Sequence, residues 1–352
     1  MFASALLLAA LGATPAAATA DAGVASSPLR LRAIGDVMLG TTFPDGYLPP
    51  EDGTHSLDDV RDLLRDADVT FANLEGPLCD HGETRKCRPG AAPGTCYAFR
   101  SPTRYGQYLA DAGVDVVSTA NNHAGDFGDE CRRETEATLD SLGIRWSGPP
   151  GSVATLERGG RRIGLVAFHA SNATNDLNDL DAAAKLVRET KKAHDWVVVS
   201  FHGGAEGIGA TRVVVGHEMF HGEDRGDLRA FAHAVVDAGA DLVLGHGPHV
   251  VRGMETYRGR LIAYSMGNFA TYGRFSLGGA LADGMVLEVT LAADGHFVGG
   301  RVFPTHQEDK GIPHRDAEGR VLEELRTLTA LDFPETGVGV SKDGELRARA
   351  PQ

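Results

Sequence analysis

The sequence predicts an α/β fold, a sheet flanked by helices, and three observations carry that expectation. Apolar runs of about four to eight residues recur along the chain. Glycine-rich turns bound them, and the stretches between them place apolar residues three and four apart. The runs at 29–34, 69–72, 114–119, 163–168, 196–201, 242–244 and 261–265 read as strands. The stretches at 58–64, 105–112, 129–142, 180–192 and 228–238 carry the helical spacing. Segments 285–291 and 297–303 alternate on either side of Ala293, Asp294 and Gly295, which predicts a hairpin. Neither an internal repeat nor a long linker interrupts the series. One domain over 28–305 is expected, followed by a polar tail or extension over 306–352 with a helix-forming stretch around Leu322 and Leu325.

Residues 1–20 run from Leu6, Leu7 and Leu8 to an alanine-rich end at Ala18, Thr19 and Ala20, a small-x-small pattern that predicts cleavage after Ala20. Gly12 and Pro15 break the apolar run, which is shorter than the ~20 residues of a spanning helix, so no membrane span is expected after cleavage. An exported protein meets an oxidising compartment: the periplasm, the cell envelope or the exterior. There the four cysteines Cys79, Cys87, Cys96 and Cys131, with no CxxC pair among them, fit two disulfides better than zinc. Their connectivity stays open. The net charge of −14, without clusters of Lys and Arg, argues against a nucleic-acid partner.

Residue types that ligate metals stand repeatedly where a strand ends, the place at which open α/β sheets bind ligands. Asp36 follows the first strand between Gly35 and Gly40, glycines that would permit close approach to an ion; alone, it reads equally as a turn residue or cap. Asn73 and Glu75 follow the second and alternate toward one side, or else bond to their own turn. The third delivers Asn121, Asn122, His123 and Asp126, of which Asp126 doubles as a helix N-cap candidate. His202 and Glu206 come after the fifth, spaced by Gly203 and Gly204, which would clear room beside the imidazole. His246 and His249 flank a Gly-Pro turn after the sixth, where two imidazoles can converge. Each cluster has a bland reading, but their joint occurrence points to a metal centre.

The ordered motifs G-D-V-M-L-G, N-L-E, N-N-H-A-G-D, H-G-G-A-E, G-H-G-P-H-V and S-M-G-N-F, spanning 35–269, resemble the CapA capsule-synthesis family. That family is associated with poly-γ-glutamate capsule synthesis and is similar to calcineurin-like metallophosphoesterases. The resemblance implies a four-layer αββα sandwich with one or two divalent ions, manganese, iron or zinc, at the strand ends. It implies Asp36, Glu75, Asn122, His202 and one or both of His246 and His249 as ligands, with His123 as acid or transition-state stabiliser. Asp126 and Glu206 join His123 as catalytic candidates. The pattern departs from metallophosphoesterases at Met38, which stands where an imidazole is wanted, and at Gly247, which breaks a His-x-His. The departures imply one ion, or a second one weakly held.

Two functions compete. One is a metal-dependent hydrolase acting on a phosphoester or an amide-type polymer. The other is a non-catalytic envelope component that binds or assembles an acidic polymer. The net charge of −14 weighs against broad contact with a polyanion, which a local cation could offset.

Overall fold

The computed structural model describes Met1 and residues 27–84, 86–87 and 96–348. The cleavage point expected after Ala20 lies outside the described residues. Strand β1 (Leu29–Met38) begins the first sheet, and β2 (Val69–Leu74), β3 (Val116–Ser118) and β4 (Arg145–Ser147) join it in parallel order. Helices α1 (Arg61–Arg65), α2 (Gly106–Asp111) and α3 (Gly128–Ser141) connect them. The chain then crosses to a second sheet with β5 (Ala154–Arg158), β6 (Arg161–His169), the short β7 (Asn175–Asp176) and, after α4 (Leu180–Ala193), β8 (Trp196–His202). A small hairpin, β9 (Met219–Phe220) and β10 (Glu223–Asp224), precedes α5 (Leu228–Asp237). The second sheet ends with β11 (Leu242–His246), β12 (Met254–Tyr257) and β13 (Arg260–Ala263). The chain returns to the first sheet through β14 (Asn268–Thr271), β15 (Asp283–Leu291), β16 (Phe297–Glu308), β17 (Ile312–Arg315), α6 (Arg320–Asp332), β18 (Gly339–Val340) and β19 (Glu345–Arg347).

The strand period of two sorts side chains between two cores. Leu31, Ala33 and Phe71 of the first sheet meet Leu165, Val198 and Leu244 of the second in the space between the sheets. On the outer faces, Ile34, Ala72 and Val117 pack against Leu64, Leu109 and Leu139 of α1–α3, and Val166, Val199 and Val243 against Val187, Phe231 and Val235 of α4 and α5. The architecture is a four-layer αββα sandwich. Asp179 caps α4 by accepting from the Ala182 amide at 3.0 Å, and Asp227 caps α5 through Ala230 at 2.9 Å.

The boundary expected after residue 305 falls inside β16. What composition marked as a polar tail supplies β17, β18 and β19, and α6 places Val321, Leu322, Leu325 and Leu328 in the core between the sheets. Its polar residues reflect one-sided burial of a covering helix and edge strands. The open cysteine question resolves into Cys79–Cys131, which ties the segment after β2 to α3, and Cys87–Cys96 within the insert.

Candidate metal centre

The parallel strands of both sheets end at one rim, and there the two sheets face each other with polar side chains. At β1 the register slips between Ile34 and Asp36 against β2, and between Asp36 and Val37 against β14. This bulge brings Asp36 alongside Asn73 on one flank and Asn268 on the other. Gly35 is required here for packing: a Cβ would run into the Gly267 carbonyl oxygen, while the Asp36 amide donates to that same carbonyl at 3.0 Å. The expected role of the glycine, room for an ion, is therefore corrected to close approach of backbone. Gly203 is corrected likewise, since its missing Cβ makes room for the Arg225 carbonyl and for Leu228.

Asp36, Glu75 and His202, all fully buried, bring one ligand atom each within 4.8 Å of one another. Asp36 Oδ1 accepts from Asn73 Nδ2 at 2.8 Å, and Oδ2 lies 3.0 Å from His249 Nδ1. Glu75 Oε1 is ringed by three imidazole nitrogens: Nε2 of His249 at 3.6 Å, of His202 at 3.8 Å and of His123 at 3.9 Å. None is a hydrogen bond. Both Glu75 oxygens, His202 Nε2 and Asn122 Oδ1 are buried without a hydrogen-bond partner. Buried polar atoms are almost always paired, so four orphaned donor atoms at one rim fit a cation bound among them. Oxygen and imidazole without thiolate suit a divalent ion such as manganese, iron or zinc.

The electrostatics agree with that fit. Burial would raise the Asp36 carboxyl, but His246 and His249 hold it well below the usual carboxylate range. Burial pushes Glu75 well above that range, against the pull of His249. Burial would lower His249, yet Glu75, Asp36 and Glu206 push it up to about 10. Burial lowers His202 and also His123, the latter against Asp126. The carboxylates thus demand positive charge at a place where His202 and His123 favour the neutral form that can ligate.

The other candidate residues stand around this group in distinct ways. His249 reaches it from the positive-φ backbone at 61° that follows the Gly-Pro turn. His246 Nδ1 lies 3.4 Å from Asp36 Oδ1, and among the described residues neither of its ring nitrogens has a hydrogen-bond partner. Asn122 and Glu206 lie at the margin, 3.5 Å apart, with Glu206 Oε2 at 3.8 Å from His249 Nε2. Asp126 caps no helix: its Oδ2 takes His123 Nδ1 at 2.7 Å and the Phe99 amide at 2.8 Å. Bonded there, the His123 ring turns Nε2 toward Glu75.

Three residues of the site, Asn268, Lys86 and Phe99, carried no mark as candidates, and a fourth was marked without its contact. Asn73 was visible at its strand end but not taken as a contact of Asp36. Asn268, in the S-M-G-N-F motif, sets Oδ1 3.1 Å from His249 Nδ1. Lys86 pairs with Asp126 at 2.9 Å, and Phe99 stacks on His123 with centroids 4.1 Å apart. The last two come from the cysteine-bearing insert, which no strand-end signal touches. The Cys87–Cys96 bridge beside Lys86 shapes that insert, and Cys79–Cys131 anchors its base.

Comparison with known proteins places this geometry in context. The family model described as "Bacterial capsule synthesis protein PGA_cap" matches residues 30–272. The chain is 26% identical over 254 residues to "PGA biosynthesis protein CapA" of Bacillus subtilis, covering 67% of this chain and 61% of that protein. It is 28% identical over 263 residues to "Capsule biosynthesis protein CapA" of Bacillus anthracis, covering 68% and 59% respectively. The chain thus spans about three-fifths of these relatives' length. Among solved structures, a 5'-nucleotidase precursor from Thermus thermophilus overlays with a TM-score of 0.41 at 14% identity, covering 86% of this chain and 59% of the other.

Proposed function

The chain belongs to the PGA_cap family of bacterial capsule synthesis proteins, and from that premise we propose that it is an exported, metal-dependent hydrolase of capsule or poly-γ-glutamate metabolism. Its substrate class is a phosphoester or an amide-type bond in an acidic polymer. The observation that carries this reading is the His123–Asp126 pair at the edge of the buried ligand group. A polymer-binding protein needs a cation, but it has no need of an imidazole held by a carboxylate at Nδ1 with Nε2 directed into the site. A divalent ion held by Asp36, Glu75 and His202, with His249 and Asn122 adjacent, would supply Lewis acidity toward the scissile group.

The chain's own residues then divide the work. Asp126 fixes the His123 tautomer and ring plane, and Lys86 neutralises the far carboxylate oxygen at 2.9 Å. With its proton on Nδ1, His123 takes a proton from the attacking water at Nε2 and hands it to the leaving atom as the bond breaks. Phe99, stacked on the ring, and the Phe99 amide, bonded to Asp126, keep both partners in place. Glu206, paired with Arg225 at 2.8 Å, stands across the opening and orients groups that enter.

The test is turnover of phosphoester and γ-linked glutamate substrates by protein loaded with manganese, iron or zinc. Chelator should abolish activity. Asp126→Asn should lower kcat by about 100-fold or more with metal content unchanged, the scale of a general acid–base contribution. Polymer binding that persists in His123→Ala, with no turnover by any loaded form of the parent protein, would replace this reading with that of a polymer-assembling component.

A further inference from the structure

A cleft of about 260 Å3 opens directly on His123 and His249, and its walls differ in chemistry from the buried ligand group beneath it. Phe99, stacked on His123, also stacks on Phe275 at 5.0 Å, and Phe275 meets His249 edge-on at 5.2 Å. A continuous row of rings therefore joins the two imidazoles. Next in the chain is Arg274, just beyond β14, the strand that runs beside Asp36. Its guanidinium carbon lies 5.1 Å from the Tyr47 ring centroid and 5.3 Å from that of Tyr97. The charge is held by two aromatic rings and by no carboxylate among the described residues, in a chain with 48 acidic and 34 basic side chains. Arg274 Nε is buried and has no hydrogen-bond partner. Among the described residues lining the cleft it is the single Lys or Arg.

We propose that Arg274 is a specificity-determining residue that takes an anionic group of the substrate, a carboxylate or phosphate, while the group's apolar stem lies on Phe99 and Phe275. Ring contacts hold a guanidinium by its faces and leave its N–H edge free, and that edge forks onto a planar or tetrahedral oxyanion. Glu206 is the carboxylate among the described residues that line the cleft, and Arg274 meets an incoming anion from the apolar wall away from it. The inference rests on the hydrolase reading for the use of the cleft, but binding tests it without turnover.

The experiment uses the full chain loaded with manganese and measures Kd for three probes: a γ-linked glutamate tetramer, its α-carboxamide counterpart and an oligomer of glycerol phosphate. Arg274→Gln should weaken one anionic probe by about 10- to 100-fold, the loss of a charge-assisted fork, and leave the carboxamide unchanged. Which anionic probe responds identifies carboxylate or phosphate as the recognised group. Arg274→Lys, which keeps the charge but not the fork, should recover only part of the loss. Metal content and Tm of both variants should match the parent, and Arg274→Lys alone decides the matter if Arg274→Gln does not fold. Equal weakening of charged and neutral probes, no weakening of either, or no binding of any probe by the parent overturns the proposal. Probes bound through Arg274 but never cleaved would sink the hydrolase reading and spare this one. Cleavage of an anionic probe with KM unmoved in Arg274→Gln would do the opposite.

Discussion

Replacing Glu75 by Gln separates a ligand from a structural carboxylate, because the two roles predict opposite changes. The side chain is fully buried, and neither oxygen makes a hydrogen bond; its nearest nitrogens stand at 3.6 to 3.9 Å. Glu75→Gln keeps the volume and breaks no hydrogen bond, so metal-free stability should stay within about 1 kcal/mol of the parent. With ion at a hundredfold excess over its Kd, the parent should gain about 2.7 kcal/mol, which for a domain of this size is a rise in Tm of about 5 °C. The variant should gain almost none of it. Paired thermal melts with chelator and with manganese, iron or zinc read both quantities. A variant that loses more than about 2 kcal/mol in chelator yet keeps the metal increment would refute the reasoning, because Glu75 would then be a structural group.

Three further outcomes follow from particular contacts. Removing the Cys79–Cys131 bridge, which closes a separation of 52 residues, should cost about 4 kcal/mol in the chain-entropy account. Denaturant titration of the double Ser variant measures the loss, and an effect near zero would show that the packing of Phe127 and Ala98 suffices. Gly35→Ala should lower both Tm and metal content, because the new methyl displaces Gly267 and, with it, the Asp36 amide; elemental analysis of refolded protein checks it. For Glu255, burial would raise the carboxyl, but bonds from His233, Tyr264 and Thr336 at 2.7 to 2.8 Å hold it below its ordinary 4.5. A depressed folded value contributes stability that is whole above about pH 5 and fades as pH falls through that depressed value. Glu255→Gln should therefore flatten the acid limb of a Tm-against-pH curve, and parallel limbs would count against the assignment.

The fold was legible because its strands are buried on both faces and so read as short apolar runs. The run at 196–201 became β8, the run at 242–244 became β11, and both lie in the middle of a sheet. The elements that composition hid are those at edges. The strands β18 and β19 are short and half polar, so their segment reads as a tail until its partners are known, whereas α6 forms where the helix-forming stretch around Leu322 and Leu325 was expected. At the site, Asp36, Glu75, His123 and His202 were legible because each stands at or within a few residues of a strand end. Lys86, Phe99 and Arg274 were not, since each acts from a loop whose course is set by a bridge or by contact with another loop.

By itself the sequence determined the α/β class, the order of the main strands and helices, and the ligand-type residues near the strand ends. These follow from local periodicity and from chain order, which neighbouring residues suffice to express. Only the tertiary structure decided that Asp36, Glu75 and His202 share a space 4.8 Å across, that the bridges run Cys79–Cys131 and Cys87–Cys96, and that Arg274 comes to the mouth of the cleft. Those facts depend on two sheets meeting face to face across residues far apart in the chain. Such pairing is set by the packing of the whole core and has no signature in any one segment.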